Sequence, residues 1–378
     1  MARPGAHSGL SHQRQDLAGI LGYDLAVDSG FLLRTVELAQ HRRGFCAPNP
    51  SVGAVLVCEG QVVSEGFHWA PGHPHAEVEA IRRAPPEVLR RSTLYVSLEP
   101  CCHHGRTPPC TGLILESGIP KVVYAFRDPN PKVAGQGHAL LESEGVEVRF
   151  LALPEAEVFY RGYAWWQRTG LPYTTVKLAM SLDGKTAGPG GKPLPLTSGP
   201  ANAFTHLCRR QSDALLTTAR TVLADNPQLN VRLEGDPIAK PVVILDRLAR
   251  TPLDARIFQT ALSVLVFVAE DAPPGRRENL RERGAEVVEL ACDGGLLPLK
   301  QVLSHLGEKG LHDLWVEGGG ALFNAFLREK LAQRALLYVT PDFVGDGINA
   351  FESWAGFGDA ARVQWLPQGR DVLAEVVW

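Results

Sequence analysis

Four residues in the first third of the chain could together carry out metal-assisted hydrolysis: His75, Glu77, Cys101 and Cys110. One imidazole and two thiolates suit Zn²⁺, a borderline-soft ion that takes nitrogen and sulfur ligands in a tetrahedron. Three protein ligands leave a fourth position open for water, which is typical of a catalytic site. Glu77 follows the histidine by two residues and can move protons between water and a substrate. The pattern therefore predicts a hydrolytic zinc site.

The spacing of the two cysteines leaves alternatives open. Eight residues separate Cys101 from Cys110, and Cys102, His103 and His104 among them are further potential ligands. Neighbouring side chains usually diverge, which argues against Cys102 binding the same ion as Cys101. The group could also be a structural zinc knot or a set of buried thiols, but neither needs a glutamate beside the histidine. Cys110 precedes residues that can begin a helix, whose dipole would favour a thiolate.

Composition bounds the class of protein. A chain of 378 residues is too long for one ordinary core and predicts two domains. Its 45% hydrophobic and 21% charged residues describe a folded globular protein, and a net charge of −3 offers no basic field for nucleic acid. No apolar run is long enough to span a membrane, and residues 1–20 lack the apolar core of a signal peptide. Seven cysteines, an odd count, favour a reducing cytoplasm over a disulfide framework.

Helices and strands must hold these candidate residues in place. Hydrophobic periodicity predicts two successive α/β patterns along the chain. The predicted domains are a loose tail over 1–24, a first domain over 25–168 and a second over 172–378. Predicted strands include Thr93–Leu98, which delivers Cys101, and a helix over Glu77–Arg83 places His75 at its N-terminal end. In the second pattern, predicted strands include Tyr173–Met180 and Asp313–Glu317. The segment 154–167 predicts a connecting helix whose tryptophans pack in a core or interface.

Longer motifs now give the chain a family resemblance. The His-x-Glu, Pro-Cys and later Cys are similar to those of zinc-dependent nucleobase deaminases. With the longer runs, the sequence resembles the bifunctional deaminase/reductase family of riboflavin biosynthesis, from about residue 30 to the C-terminus. The runs that carry this resemblance are Ala47–Ala54, Gly66–His68, Pro74–Val78, Glu99–Cys110, Asp128–Gly135, Lys177–Ala187, Thr221–Pro227 and Trp315–Gly319. The insert between the cysteines is especially specific, because tRNA and cytidine deaminases have a shorter spacing.

The resemblance implies an N-terminal cytidine-deaminase-like α/β/α domain that uses Zn²⁺. Its reaction removes the 2-amino group from the pyrimidine of a diamino-ribosylamino-pyrimidinone 5′-phosphate, with Glu77 as the catalytic acid–base. The zinc ligands would be His75, Cys101 and Cys110. Four residues match family positions around the substrate: Asn49, His68, His103 and Arg106. By themselves, an ordinary turn asparagine, a satisfied histidine and a solvated arginine would be the simpler interpretations.

For the second half, the resemblance implies a dihydrofolate-reductase-like α/β domain that uses NADPH to reduce the ribosyl group to ribityl. The implied catalytic residues are Lys177 and Asp225. Implied cofactor-binding residues are Ser181, Thr197, Thr221, Asp225, Gly318, Gly319 and Gly320. Implied substrate-binding residues are Lys177, Ser198, Arg209, Leu229, Arg232 and Glu317. The residues alone leave an outward strand lysine, surface arginines and an Asx turn at Asp225 as alternatives.

The three glycines also support a nucleotide site independently, because they lie between a strand and a helix, where backbone N–H groups can bind phosphate. A tight turn would use the same glycines. No Gly-x-Gly-x-x-Gly follows a strand, so a Rossmann site is not indicated. The chain departs from the family at Pro193–Thr197, where a tryptophan is missing, and this bears on NADPH contacts rather than on the class of reaction.

The sequence thus predicts a cytoplasmic enzyme of small-molecule substrates, with no nucleic-acid or membrane partner. Exposed strand edges in the second domain favour a homodimer. Two other hypotheses compete with this one. A nucleic-acid base deaminase with an appended domain conflicts with the acidic balance and the long cysteine insert. A non-catalytic zinc-stabilised module with a nucleotide-binding half would leave Glu77 without a role.

Overall fold

The computed structural model describes residues 26–103, 105, 108–292, 295–351, 360 and 362–378. Its contacts divide the chain into two compact units. The first unit contains the chain up to Arg42 and Pro50–Ala164, and the second contains Arg43–Asn49 and Trp165–Trp378. The predicted tail over 1–24 and Arg106 lie outside the described residues.

The first unit is built on a five-stranded sheet with strand order β2-β1-β3-β4-β5. Strand β1 is antiparallel to β2 and β3, whereas β3, β4 and β5 are parallel. All six residues of β1 are buried, as a central strand covered on both faces requires. Its strands are β1 Gly53–Cys58, β2 Gln61–Phe67, β3 Ser92–Val96, β4 Lys121–Tyr124 and β5 Glu147–Phe150. A turn at Glu59-Gly60 joins β1 to β2, with positive φ angles of 50° and 75°.

Helices cover this sheet and bring the chemistry to its edge. A helix over 26–40 (α1) is followed by α2 Ala76–Arg83, α3 Pro86–Leu89, α4 Cys110–Ser117, α5 Gln136–Ser143 and α6 Pro154–Thr169. Helix α2 packs close to β2 because Gly66 has no side chain. A Cβ atom there would lie 2.3 Å from the Ala76 carbonyl oxygen. The first turn of α2 is therefore held directly against the sheet.

The second unit is built on a nine-stranded sheet with strand order β11-β10-β9-β8-β12-β6-β13-β16-β15. Seven strands are parallel, and β15 and β16 form an antiparallel terminal hairpin. The strands of this sheet are β6 Tyr173–Ser181, β8 Ala214–Thr218, β9 Pro241–Leu245, β10 Ser263–Ala269, β11 Glu286–Leu290, β12 Asp313–Glu317, β13 Arg334–Thr340, β15 Arg362–Gln368 and β16 Asp371–Val377. A separate pair joins β7 Lys185–Ala187 to β14 Ile348–Asn349.

Two hydrophobic clusters lie on the two faces of the large sheet. The helices that cover them are α7 Gly199–Gln211, α8 Ala219–Asp225, α9 Ile257–Thr260, α10 Pro274–Glu282, α11 Leu299–Glu308 and α12 Gly320–Arg328. A 3-10 turn covers Pro189–Gly191. Parallel strands with helices on both faces place functional residues at the carboxyl ends of the strands. The sequence missed the short helices α3, α8 and α9 and the short strands β7 and β14.

The tryptophan pair at the end of α6 packs within the second unit, as the sequence predicts. The Trp166 Nε1–H donates to the Gly307 carbonyl oxygen at 2.9 Å, and its ring lies 4.6 Å from that of His312. The Trp165 ring contacts Tyr173 edge to face at 6.5 Å. These contacts give the pair a packing role. Among the described residues, no helix has the length and apolar character that a membrane crossing requires.

Candidate active sites

Three potential metal ligands meet at one edge of the first sheet. His75 is the N-cap of α2, Cys101 follows β3, and Cys110 is the first residue of α4. The ring nitrogen Nδ1 of His75 lies 3.2 Å from Cys110 Sγ and 3.5 Å from Cys101 Sγ. All three donor atoms lie within 4.8 Å of one another. A strand end and two helix starts thus converge on one point.

This donor set fits zinc. Tetrahedral Zn–N and Zn–S bonds of about 2.0 and 2.3 Å place nitrogen and sulfur about 3.5 Å apart, close to the observed separations. Cys102 does not join the group, since its Sγ points to the Lys132 carbonyl oxygen at 3.8 Å. Among the described residues, the cluster therefore consists of the one imidazole and the two thiols that the sequence predicts. His104, a further potential ligand, is not among those residues.

The two thiols share one proton. A hydrogen bond from Cys110 lowers the pKa of Cys101 to about 4, and the same hydrogen bond, with burial, raises the pKa of Cys110 well above its ordinary value. The backbone N–H of Cys110 also donates to Cys101 Sγ at 3.3 Å. One sulfur is thus already a thiolate at neutral pH, which is the form that binds metal.

Glu77 stands in the first turn of α2, two residues beyond His75, and only 4% of its surface is exposed. Burial raises the pKa of its carboxyl, and the nearby Cys101 thiolate raises it further. A raised carboxyl pKa suits a group that must both accept and return a proton near neutral pH. Its burial beside three ligand atoms is not what a structural zinc knot would require.

Two of the predicted substrate residues lie in the described part of this unit. His68 is 2% exposed, shares a hydrogen bond with the Pro74 carbonyl oxygen at 3.0 Å, and its ring contacts that of His75 at 5.3 Å. Burial lowers the pKa of His68. The Nδ1 atom of His103 is buried without a hydrogen-bond partner in the described structure, as expected of an atom that binds a ligand.

The other two predicted substrate residues are not in the described part of the first unit. Arg106 lies outside the described residues. Asn49 belongs to the segment Arg43–Asn49, which clusters with the second unit, and its backbone N–H donates to the Cys46 carbonyl oxygen at 2.8 Å. Their roles stay predictions from the family resemblance.

Sequence reasoning missed Glu99, a buried carboxylate directly before the Pro100-Cys101 pair. Its two oxygens accept hydrogen bonds from three backbone N–H groups, those of Asp128, Gly135 and His138, at 3.4, 3.1 and 3.2 Å. The segment 128–138 is thereby fastened to the strand end that carries a zinc ligand. The available signal was an acidic residue that follows seven uncharged residues and directly precedes the Pro100-Cys101 pair.

In the second unit, the predicted residues gather at the carboxyl ends of β6, β8 and β12. Glu317 ends β12 and lies beside Lys177 in the parallel register of β12 and β6. Arg209 of α7 donates two hydrogen bonds to Glu317, through Nε at 2.5 Å and Nη2 at 2.8 Å. The Trp315 Nε1–H adds a third at 2.6 Å. This bidentate pair is largely buried, with 11% of the Arg209 side chain and 15% of the Glu317 side chain exposed, and both carboxylate oxygens accept hydrogen bonds.

Burial and charge set the protonation of this group. Burial alone would raise the pKa of Glu317, but the Arg209 charge and its hydrogen bonds, together with Lys177, hold that pKa at about 2. Burial lowers the pKa of Lys177, whose ammonium lies 4.9 Å from the centre of the Tyr338 ring. Lys177 is therefore not the outward-facing strand lysine of the alternative interpretation.

Arg232 and Leu229 lie on the loop after α8. Leu229 has a left-handed backbone, with φ of 43°, and is buried. The Arg232 Nη1 donates to Asn230 Oδ1 at 2.6 Å, and Arg209 Nη1 donates to the Asn230 carbonyl oxygen at 3.0 Å. Arg209 and Arg232 thus both contact Asn230 of the loop after α8.

Asp225 is the last residue of α8, and burial raises its pKa. In the described part of the chain it is not among the side chains hydrogen-bonded to Glu317. Thr221 lies in the first turn of α8, where its N–H donates to the N-cap Thr218 hydroxyl at 3.3 Å. Asn226 has φ of 41° and accepts from the Arg256 N–H through its side chain at 2.9 Å, so this stretch does form a helix-ending turn.

The remaining predicted cofactor residues lie around strand and helix ends. Ser181 ends β6, is buried, and donates to Asp183 at 2.5 Å. Thr197 donates to Asn202 Oδ1 at 2.7 Å, and Ser198 is the N-cap of α7. Ser198 donates its hydroxyl to the Gln368 carbonyl oxygen at 3.3 Å, so a substrate would compete with that bond.

The glycine run before α12 is not a left-handed turn. None of Gly318, Gly319 and Gly320 has a positive φ. A side chain at Gly320 would lie 2.3 Å from the Ala350 carbonyl oxygen, whereas Gly319 faces open space. The run therefore gives close packing on one side and free access to the N-terminus of α12 on the other. Helix N-termini with accessible N–H groups bind phosphate, so this cradle fits a dinucleotide phosphate.

The fold and the sites define a two-part enzyme, in which a zinc-dependent deaminase unit is joined to a reductase unit. Comparisons with known proteins agree. The family model for the RibD C-terminal domain matches residues 172–357, and the model for the cytidine and deoxycytidylate deaminase zinc-binding region matches residues 26–126.

Whole-length relatives name the family. The chain is 38% identical to the riboflavin biosynthesis protein RibD of Escherichia coli, over 84% of this chain and 89% of that protein. It is 37% identical to RibD of Haemophilus influenzae, over 84% and 87% of the two chains. The solved structure of Acinetobacter baumannii RibD has a TM-score of 0.83 at 34% identity and covers 93% of this chain and 99% of its own. The chain belongs to the RibD family of riboflavin biosynthesis.

Membership gives the two activities: the protein is a bifunctional deaminase and reductase of riboflavin biosynthesis that acts on a small molecule. Zinc serves the deaminase, and NADPH serves the reductase.

Proposed function

We propose that the first unit hydrolyses 2,5-diamino-6-(5-phosphoribosylamino)pyrimidin-4(3H)-one to the corresponding uracil and ammonia. A related structure from Thermotoga maritima, 32% identical with a TM-score of 0.80, is described as a diaminohydroxyphosphoribosylaminopyrimidine deaminase/5-amino-6-(5-phosphoribosylamino)uracil reductase. The observation that carries the proposal is the buried Glu77 beside the three-donor cluster. Zinc, when bound there, would lower the pKa of a water ligand towards ~7.

The chain's own residues perform the remaining work. His75, Cys101 and Cys110 hold the metal, and the raised pKa of Glu77 lets it take a proton from water and return it to the departing ammonia. His68 and His103, together with Asn49 and Arg106, bind and orient the substrate, in keeping with the family resemblance. Because Glu77 is buried, the proton that it carries is also kept from exchanging with bulk water.

Glu77→Gln tests this role. The glutamine side chain keeps the size of the original but cannot carry the proton, so deamination should fall about 10²–10⁴-fold. Zinc content, measured by atomic absorption, should stay at the parent value, because Glu77 is not one of the three ligands. Glu79→Gln on the same helix is the matched control. Full ammonia release by the Glu77 variant would refute the role.

For the second unit, we propose reduction of the ribosyl group of 5-amino-6-(5-phosphoribosylamino)uracil to ribityl. NADPH, when bound, supplies the hydride to the first carbon of the sugar. Lys177 and Asp225 are the proposed catalytic residues, and Arg209 and Arg232 hold the substrate phosphate. Ser198, Leu229 and Glu317 complete the substrate contacts. The cofactor contacts are Ser181, Thr197, Thr221, Asp225, Gly318, Gly319 and Gly320.

A single coupled assay tests both units together. Ammonia release and NADPH oxidation are followed in one cuvette from the diamino-pyrimidinone ribotide. Ammonia should appear first and NADPH should fall after it. If ammonia appears while NADPH is unchanged, the unusual segment Pro193–Thr197 has disabled the reductase.

We also propose domain limits of 25–168 and 172–378, a cytoplasmic location and a homodimer. No disulfide joins any of the seven cysteines, all of which lie in the described part of the chain, and this suits a reducing compartment. The edge strand β15 of the large sheet exposes Val363 and Trp365, 51% and 63% exposed, and could join a second copy. Analytical ultracentrifugation of the full chain should give a dimer mass, and a monomer at micromolar concentration would contradict it.

A further inference from the structure

The loop that carries Arg232 is strained and must be held from outside. Asn226 and Leu229 both have left-handed backbones, with φ of 41° and 43°. Asparagine is common in this conformation at the end of a helix, as at Asn226 after α8. Leucine adopts it only where its surroundings over-determine the backbone, and such strained residues cluster at functional sites. The backbone of Val231 exchanges two hydrogen bonds with Ile238, at 2.9 and 3.0 Å. Those hydrogen bonds follow the left-handed residues in the chain. The backbone around Asn230 must therefore be held by other contacts.

His206 supplies one of those partners. Its Nδ1 accepts the Arg232 backbone N–H at 3.0 Å, and it also interacts with the Asn230 backbone. It lies on α7 one turn before Arg209, which donates to the Asn230 carbonyl oxygen, so both side chains reach the same stretch of loop. His206 is buried, with 9% of its surface exposed.

Nothing in these contacts gives His206 a role in the chemical step. Because Nδ1 accepts an N–H, the ring proton must be on Nε2, and the ring is the neutral tautomer. Burial, then the charges of Arg209 and Arg232, lower the pKa of His206 to about 4. At neutral pH the ring is therefore uncharged, although it lies near two arginines. Its contribution is a fixed hydrogen-bond acceptor.

We infer that His206 is a positioning residue of the reductase, which holds the Asn230–Arg232 backbone so that the Arg232 guanidinium meets the phosphate of the substrate. The inference rests on the proposed function, in which Arg209 and Arg232 bind that phosphate. Loss of the acceptor would let the strained loop relax, and Arg232 would move with it. The step of hydride transfer itself would be unaffected.

Three substitutions separate the acceptor from the rest of the ring. His206→Asn places an oxygen where Nδ1 stands and keeps the acceptor. His206→Gln places its amide near Nε2 and loses the acceptor, and His206→Ala loses both. The KM for 5-amino-6-(5-phosphoribosylamino)uracil should rise about tenfold in the Gln and Ala variants, since one lost hydrogen bond weakens binding on this scale. The Asn variant should stay near the parent.

The full-length chain provides its own controls. The kcat of reduction, the KM for NADPH and the deamination rate should stay within about twofold in all three variants. Competitive inhibition by inorganic phosphate should weaken in parallel with the rise in KM. If His206→Asn behaves like His206→Ala, or if kcat falls together with affinity for NADPH, the positioning role is wrong.

Arg232→Gln separates this inference from the proposed function. If Arg232→Gln raises the KM and the His206 variants do not, the phosphate role stands and the positioning role fails. If Arg232→Gln leaves the KM unchanged, the proposed phosphate contact itself is wrong, and the inference falls with it.

Discussion

Each unit of the protein has a glutamate that is largely shielded from solvent among its predicted site residues, and the pKa values of the two are shifted in opposite directions. Glu77 is 4% exposed, and burial with a neighbouring thiolate raises its pKa. Glu317 is also surrounded by protein, yet Arg209 and Lys177 hold its pKa at about 2 against the effect of burial. The same side chain thus has a raised pKa in one unit and is held as an anion in the other.

The difference shows how neighbouring charges set the protonation state of a carboxyl group. Desolvation acts on both carboxyls in the same direction, so the neighbouring charge decides the outcome. Glu77 has a soft, anionic metal-ligand set beside it, whereas Glu317 has a bidentate arginine and the Trp315 N–H. We therefore expect the deaminase site to depend on a metal and the reductase site to depend on a network of fixed charges.

Removal of zinc should produce the largest difference between the activities of the two units. Dialysis against a chelator should abolish ammonia release, because the three ligands of the described cluster all lie in the first unit. Oxidation of NADPH should continue at the parent rate when 5-amino-6-(5-phosphoribosylamino)uracil is supplied directly. Added zinc should restore ammonia release. A reductase that stops with the chelator would break the contrast between a metal-dependent and a charge-dependent site.

Arg209→Met tests the charge network. The change leaves Glu317 buried without its main partner, which typically costs about 3–5 kcal/mol. We expect the denaturation midpoint of the second unit to fall and the deamination rate to stay unchanged. Arg220→Met, on the exposed surface of α8, is the matched control.

The pH dependence of that cost sharpens the test. In the parent, the pKa of Glu317 lies below its unfolded value, so this carboxylate contributes stability above about pH 4.5, and the contribution is lost as the pH falls towards 2. In Arg209→Met, burial acts without the arginine, and the folded protein should take up a proton more readily than the unfolded chain. The difference in unfolding free energy between parent and variant should therefore shrink in acid. A constant difference between pH 7 and pH 4 would contradict the charge account.

The sequence predicts the metal site better than the reductase site, for a physical reason. Zinc restricts its ligands by chemical type, so His75, Cys101 and Cys110 could be recognised from residue identity and the neighbouring Glu77. Hydrophobic alternation also locates strands of both sheets, and the strand Asp313–Glu317 is predicted to the residue.

The parts that the sequence could not give depend on tertiary packing. Apart from the glycine run, the reductase residues were named only through family resemblance, because an arginine and a glutamate far apart in sequence carry no local sign of pairing. His206 and Glu99 were missed, since each acts through backbone groups of a distant loop. The glycine run before α12 was ambiguous because only the structure shows that Gly320 has no room for a side chain and Gly319 faces open space.

Glu99→Gln should produce the smallest effect and shows how far the zinc site depends on its surroundings. Glutamine keeps one acceptor oxygen, but its NH₂ group would face backbone N–H donors at either the Asp128 and Gly135 side or the His138 side. An unsatisfied buried donor costs about 1–3 kcal/mol, so the first unit should unfold at a lower temperature. Glu116→Gln, exposed on α4, is the control. Zinc content should be retained, because Glu99 is not a ligand, and reduction of the supplied uracil substrate should be unchanged. An unfolding temperature equal to that of the control would show that the 128–138 segment is held to the ligand-bearing strand end by other contacts, and that Glu99 is dispensable there.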